Sequence, residues 1–131
     1  MPLNKDFESL TLNFKITDMI TIYHNPRCGK SRETLKLLED CGEEFEIVEY
    51  LKNPPSKERL KEISTLLGLE PVDFVRKKET LFQEKYANQD LSEDDWLTVL
   101  STNPILIERP IVVKGDKAVI GRPPENVKEL F

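Results

Sequence analysis

Histidine and cysteine are scarce in this chain: one and two copies in 131 residues. A structural zinc site takes four such ligands close together, so no metal is expected. Nor is there a dithiol motif, because the residue three places after Cys28 is Ser31. Glycine is also sparse, with five copies. Gly29-Lys30-Ser31 would need a further glycine at position 24 to cradle a triphosphate, and His24 stands there. A phosphatase-type loop would place arginine six residues after the cysteine, where this chain has Thr34. No apolar run approaches the ~20 residues of a membrane helix. The 19 Lys and Arg are not gathered into one tract, and 24 Asp and Glu leave a formal net charge of −5. A broad nucleic-acid surface is thereby excluded. An acidic chain with a local basic pocket suits a small anion.

One dense block of chemistry remains, Ile20-Thr21-Ile22-Tyr23-His24-Asn25-Pro26-Arg27-Cys28-Gly29-Lys30-Ser31-Arg32. A β-prone run ends in a tight loop, and an apolar-periodic stretch follows from Ser31 to Cys41. The pattern puts Cys28 at a helix start, where unpaired backbone N–H groups converge and anions bind. The same field, with cations on either side, favours thiolate over thiol. A core cysteine would have apolar neighbours; this one has His24, Arg27, Lys30 and Arg32. Cys28 is therefore read as a nucleophile. Cys41 shares a helical face with Leu35 and Leu38 and is read as core. A helix rises ~1.5 Å per residue, so the two sulfurs sit too far apart for a disulfide. The electron pair that regenerates Cys28 must then come from an external thiol.

Along the chain, Ile20–Tyr23 reads as a first strand and Ser31–Cys41 as a helix stopped by Gly42. Phe45–Tyr50 reads as a second strand with apolar residues on both faces. Asn53-Pro54-Pro55 breaks the chain before a helix capped by Ser56, with Leu60, Ile63 and Leu67 on one face and Gly68 at its end. Pro71 opens a short helix reaching Arg76. Residues 77–91 are polar, with room for one more helical turn, and Ser92 caps another helix carrying Trp96, Leu97 and Leu100. Ile111–Val113 and Ala118–Ile120 form a hairpin about Gly115-Asp116, and Pro123-Pro124 opens a last short helix. The order β-α-β, helices, β-β-α describes one α/β domain spanning 19–131. Residues 1–18 lack the continuous apolar region of a signal peptide and are expected to be a dispensable, flexible extension. With two cysteines, the expected setting is the reducing cytoplasm.

Two arginines directly precede prolines, Arg109-Pro110 and Arg122-Pro123, and proline pushes its predecessor out of the helical region. Guanidinium groups bind oxyanions through a planar fork of donors. Together, His24-Asn25-Pro26-Arg27-Cys28-Gly29-Lys30-Ser31-Arg32, Phe74-Val75-Arg76-Lys77, Pro104-Ile105-Leu106-Ile107-Glu108-Arg109-Pro110-Ile111-Val112-Val113 and Gly121-Arg122-Pro123 resemble the glutaredoxin-coupled arsenate reductase family over residues 19–131. The resemblance implies a thioredoxin-like fold with a helical insertion and a cis Pro110. It implies that Cys28 attacks arsenate or a similar small oxyanion, and that Arg76, Arg109 and Arg122 hold the anion and its arsenic adduct. His24 would aid the thiolate electrostatically, with Asn25, Gly29 and Ser31 supporting the loop. Glutathione would be the co-substrate, glutaredoxin the protein partner, and no cofactor would be bound. Lys30 and Glu33 depart from the threonine and asparagine usual at those positions.

The resemblance extends to Spx-type transcriptional regulators, whose Cys-x-x-Cys switch Ser31 interrupts. A thioredoxin-like redox adaptor without oxyanion turnover is the alternative. Cys28-Gly29-Lys30-Ser31 also has the Cys-Gly-x-Ser form of monothiol glutaredoxins, an option that leaves the arginines unexplained.

Overall fold

The computed structural model describes residues 19–131, so the extension expected over residues 1–18 lies outside the described residues. Strands β1 (Ile20–His24), β2 (Glu46–Glu49), β3 (Ile111–Lys114) and β4 (Lys117–Ile120) form one sheet in the order β2-β1-β3-β4. β2 runs parallel to β1, with His24 opposite Glu49. β3 is antiparallel to β1, with Ile22 opposite Val112, and β4 is antiparallel to β3.

Side chains alternate across a strand, and here the alternation builds two cores. Ile20, Ile22 and Val112 point to one face and pack with Leu38, Val127 and Leu130. That layer comprises α1 (Gly29–Cys41) and the 3₁₀ helix Pro124–Leu130. Tyr23, Ile111 and Val113 point to the opposite face, against Leu60, Ile63, Phe74, Trp96, Leu97 and Leu100. These come from α2 (Lys57–Leu67), the 3₁₀ helix Pro71–Phe74 and α4 (Glu93–Thr102). A short α3 (Thr80–Lys85) supplies the extra turn expected in the polar stretch, and Phe82 stacks on Trp96 at 6.1 Å.

The caps follow local chemistry. Ser56 accepts from the Arg59 N–H at 3.0 Å, and Ser92 from the Asp95 N–H at 3.1 Å. Gly42 ends α1 with φ 75°, a left-handed conformation that glycine adopts without a Cβ clash. A β-α-β unit and a β-β-α unit flank a helical insertion, which is the thioredoxin-like architecture.

Four readings need correction. α1 begins at Gly29, not Ser31, so the helix starts directly behind Cys28. β2 is an edge strand shorter than Phe45–Tyr50, spanning Glu46–Glu49; Phe45 packs on one core, Val48 and Tyr50 on the other, while Ile47 is 47% exposed. Cys41 is exposed rather than core, because the last turn of α1 runs past the sheet into the exposed Gly42–Glu44 loop. Arg76 does not end a helix. The preceding 3₁₀ turn stops at Phe74, and extended Val75 pairs antiparallel with Ile107. The Arg76 N–H donates to Leu106 O at 2.7 Å and the Glu108 N–H to Phe74 O at 2.9 Å. The Arg109–Pro110 peptide is cis, and Arg122–Pro123 is cis as well.

Candidate active site

The site forms at the C-terminal end of β1, where the strand gives way to the loop Asn25–Cys28. In open α/β sheets this end is where ligands bind. The loop is shaped by its own polar groups. Asn25 Oδ1 accepts from the Arg27 N–H at 3.0 Å, and Asn25 O accepts from the Cys28 N–H at 3.0 Å. Ser31, fully buried on α1, accepts from the Asn25 N–H at 3.0 Å and shares a 2.6 Å hydrogen bond with His24 Nδ1. Arg32 closes the turn by donating to Pro26 O at 2.9 Å.

Cys28 is the N-cap of α1, with extended backbone and 7% exposure. Burial pushes its thiol up. The Ser31 N–H, the Arg109 guanidinium and the Lys30 N–H outweigh that, and the thiol ends below its ordinary value. Two of these three are the first free amides of α1, which Gly29 opens. Arg122 Nη2 lies 3.6 Å from Cys28 Sγ.

His24 sits differently from the expectation. It is 6% exposed, and burial pushes its pKa down, aided by Arg32 and opposed by Glu49. A histidine so placed is neutral at neutral pH. It touches Ser31, whose N–H faces the sulfur, and so reaches Cys28 through Ser31.

The three arginines come together, linked by two carboxylates, of which Glu79 has no motif signal in the sequence. Glu79 Oε2 lies 3.9 Å from Arg109 Nη1 and 3.6 Å from Arg76 Nη2. Glu108 Oε1 lies 4.0 Å from Arg76 Nε and 3.7 Å from Arg122 Nε. Arg122 Nε also donates to Arg109 O at 2.7 Å, fixing the two arginines to each other. At 3.6–4.0 Å the ion pairs are too long to be hydrogen bonds. The charges are compensated while most guanidinium donors stay uncommitted. Arg76 Nη1 and Arg109 Nε are buried with no hydrogen-bond partner among the described residues. Burial raises the Glu108 carboxyl, against the pull of Arg122. A cleft of about 340 Å³ opens beside the cluster, lined by Arg76, Lys77, Lys78, Glu108 and Arg122.

Glu108 stood in the quoted motif as the neighbour of Arg109. Only the Val75–Ile107 pairing shows that it faces Arg76. Tyr50 reads from the sequence as a β-prone core residue, yet burial, Cys28 and Glu108 push its hydroxyl up while Arg109 and Asn25 pull it down. The arrangement offers a buried sulfur whose thiol is pulled below its ordinary value beside directed donors, which suits attack on a tetrahedral oxyanion.

Residues 23–130 match the model of the ArsC family. The protein YfgD of Escherichia coli K12, described as uncharacterized, is 46% identical over 117 residues, or 88% of this chain and 98% of its own length. An arsenate reductase of Haemophilus influenzae is 46% identical over 114 residues, 86% of this chain and 98% of that protein. The solved arsenate reductase from Vibrio cholerae superimposes with a TM-score of 0.82 at 45% identity, covering 86% of this chain and 98% of that one. The thiolate loop and its arginines thus stand within a shared sequence and a shared fold, and the chain belongs to the ArsC family.

Proposed function

We propose that the chain is an arsenate reductase working through a covalent cysteine–arsenic adduct at Cys28, with glutathione as co-substrate and glutaredoxin as partner. The observation that carries this reading is the lowered Cys28 thiol beside arginines whose buried donors lack protein partners. In the first step the thiolate attacks the arsenic of dihydrogen arsenate. A sulfur–arsenic bond forms, an arsenic–oxygen bond breaks, and the departing oxygen takes one proton from solvent to leave as water. Fixed positive charge at Arg76, Arg109 and Arg122 opposes the charge gathering on the arsenic oxygens, where electrostatic stabilisation counts most.

The electron pair comes from outside the chain. Cys41 is exposed at the far end of α1, a helix of 13 residues and so roughly 20 Å long. A disulfide needs Cα atoms within about 7 Å. Glutathione fills the role of the missing second thiol. Overall, dihydrogen arsenate and two glutathiones give dihydrogen arsenite, oxidised glutathione and water, arsenic gaining the two electrons the thiols lose. Such a co-substrate belongs to a reducing, cytoplasmic compartment. Among the described residues no helix is long and apolar enough to cross a membrane.

The test is a coupled assay with arsenate, glutathione, glutaredoxin, glutathione reductase and NADPH, run beside Cys28→Ser. Arsenate-dependent NADPH loss is expected with the wild type alone, since a serine hydroxyl is a far weaker nucleophile at neutral pH. Equal rates with the two proteins would overturn the reading and favour a redox adaptor.

A further inference from the structure

The proposed reaction leaves one buried site group without a task, the hydroxyl of Tyr50. Tyr50 follows β2 directly and is 1% exposed. Its ring belongs to the larger core, in the cluster of Tyr23, Leu60 and Ile111. Its oxygen is buried and has no hydrogen-bond partner of normal geometry among the described residues. Such an orphan destabilises a fold, and phenylalanine would fill the same volume without it.

Position gives the orphan a meaning. The buried side-chain atoms without a partner among the described residues are Tyr50 Oη, Arg76 Nη1 and Arg109 Nε. The two arginine nitrogens are in the oxyanion clamp, and Glu49 pairs with His24, so Tyr50 leaves β2 at the same end of the sheet as the Asn25–Cys28 loop. The charges of Arg109, Cys28 and Glu108 and the Asn25 side chain all act on the phenol. Buried polar groups are otherwise almost always satisfied, so three orphans in and beside one arginine clamp point to a shared ligand.

We infer that Tyr50 contacts the substrate, its neutral hydroxyl hydrogen-bonding an oxygen of the tetrahedral anion held by Arg76, Arg109 and Arg122, and selecting anions that carry a protonated oxygen. This rests on the arsenate-reductase reading and adds a group to it. Burial pushes the phenol up to about 12, with Arg109 and Asn25 pulling it down, so it keeps its proton throughout the neutral range. A phenol both donates and accepts, whereas guanidinium only donates. It can therefore accept from an As–OH or P–OH that the arginines cannot satisfy. Arsenate and phosphate carry such a proton near neutrality; sulfate carries none.

The experiment measures arsenate, phosphate and sulfate affinities by calorimetry in Cys28→Ser protein, with Tyr50 intact and with Tyr50→Phe. Steady-state turnover and thermal midpoints are measured in the Cys28 proteins. One neutral hydrogen bond is worth roughly a factor of 5–10 in affinity. Tyr50→Phe is expected to weaken arsenate and phosphate by about that factor, and sulfate by clearly less. kcat/KM for arsenate should fall at least as far, while the thermal midpoint holds or rises. Unchanged arsenate affinity and kcat/KM, or a loss for sulfate as large as for arsenate, would overturn the inference and leave the reductase reading standing. Failure of the Tyr50 protein to bind or turn over arsenate would overturn both.

Discussion

The ionisation of Cys28 is a contest between burial and directed charge. Burial alone favours the neutral thiol, and the amides at the start of α1 together with Arg109 reverse that preference. Arg109→Lys keeps the charge but loses the planar fork, so it tests whether direction matters. In a Cys41→Ser background, thiolate absorbance near 240 nm should titrate below the ~8.5 of a free thiol, and at a higher pH in the lysine variant. kcat/KM should rise with pH as the thiol ionises, reaching its plateau earlier in the wild type. It should also be roughly 10- to 150-fold lower in the variant, the loss of about 1.5–3 kcal/mol from a charge-assisted bond. The linked effect on stability has a definite sign. A thiol pKa lowered by folding adds stability above the unfolded value, and the gain is lost as pH falls through the folded one. Coincident titrations in the two proteins would show that positive charge alone, and not the direction of the fork, acts on the thiolate.

The elements that position these residues depend on one close approach. Gly121 joins β4 to Arg122, and a Cβ there would meet Thr34 Oγ1 at 2.6 Å and Pro110 Cγ at 2.9 Å. Thr34 belongs to α1 and donates to Lys30 O at 2.9 Å, so it is fixed on the helix that carries Cys28. Gly121→Ala must therefore push the β4–Arg122 turn away from α1 and Pro110. The expected result is a loss of about 1–3 kcal/mol in denaturant unfolding, as for overpacking elsewhere, with a lower kcat/KM because Arg122 moves off the sulfur. A variant as stable and active as wild type would show that the contact gives way freely. Elements of this kind were legible in the sequence where the signal is local: Ser56 and Ser92 as caps, Gly42 as a stop, the Gly115-Asp116 hairpin. They were not legible where neighbours decide. The apolar pattern around Ile47 cannot say that β2 is an edge, nor the face of Cys41 that α1 outruns the sheet. The Val75–Ile107 pair joins residues 32 positions apart, and no periodicity reveals it.

On the scale of the whole molecule, positive charge is concentrated at one site in an acidic chain. The formal net charge is −5, yet Arg109 and Arg122 meet at Cys28 and Arg76 joins them through Glu79 and Glu108. The arginines were identifiable as a set from their motifs; their pairing with those carboxylates, and the phenol of Tyr50 among them, depends on the folded chain. The structure that assembles them lies within the described residues. β1 starts at Ile20, Met19 O accepts from the Gly115 N–H at 2.9 Å, and helices cover both faces of the sheet. A chain beginning at Met19 is therefore expected to fold on its own and to keep its site. Its thermal midpoint should lie within about 4 °C of the full chain's, roughly the shift that 1 kcal/mol produces in a domain of this size. Its kcat/KM for arsenate should match within a factor of about two, since 1.4 kcal/mol would be needed for tenfold. Aggregation of the shorter chain, or a tenfold fall in its turnover, would show that residues 1–18 belong to the working unit.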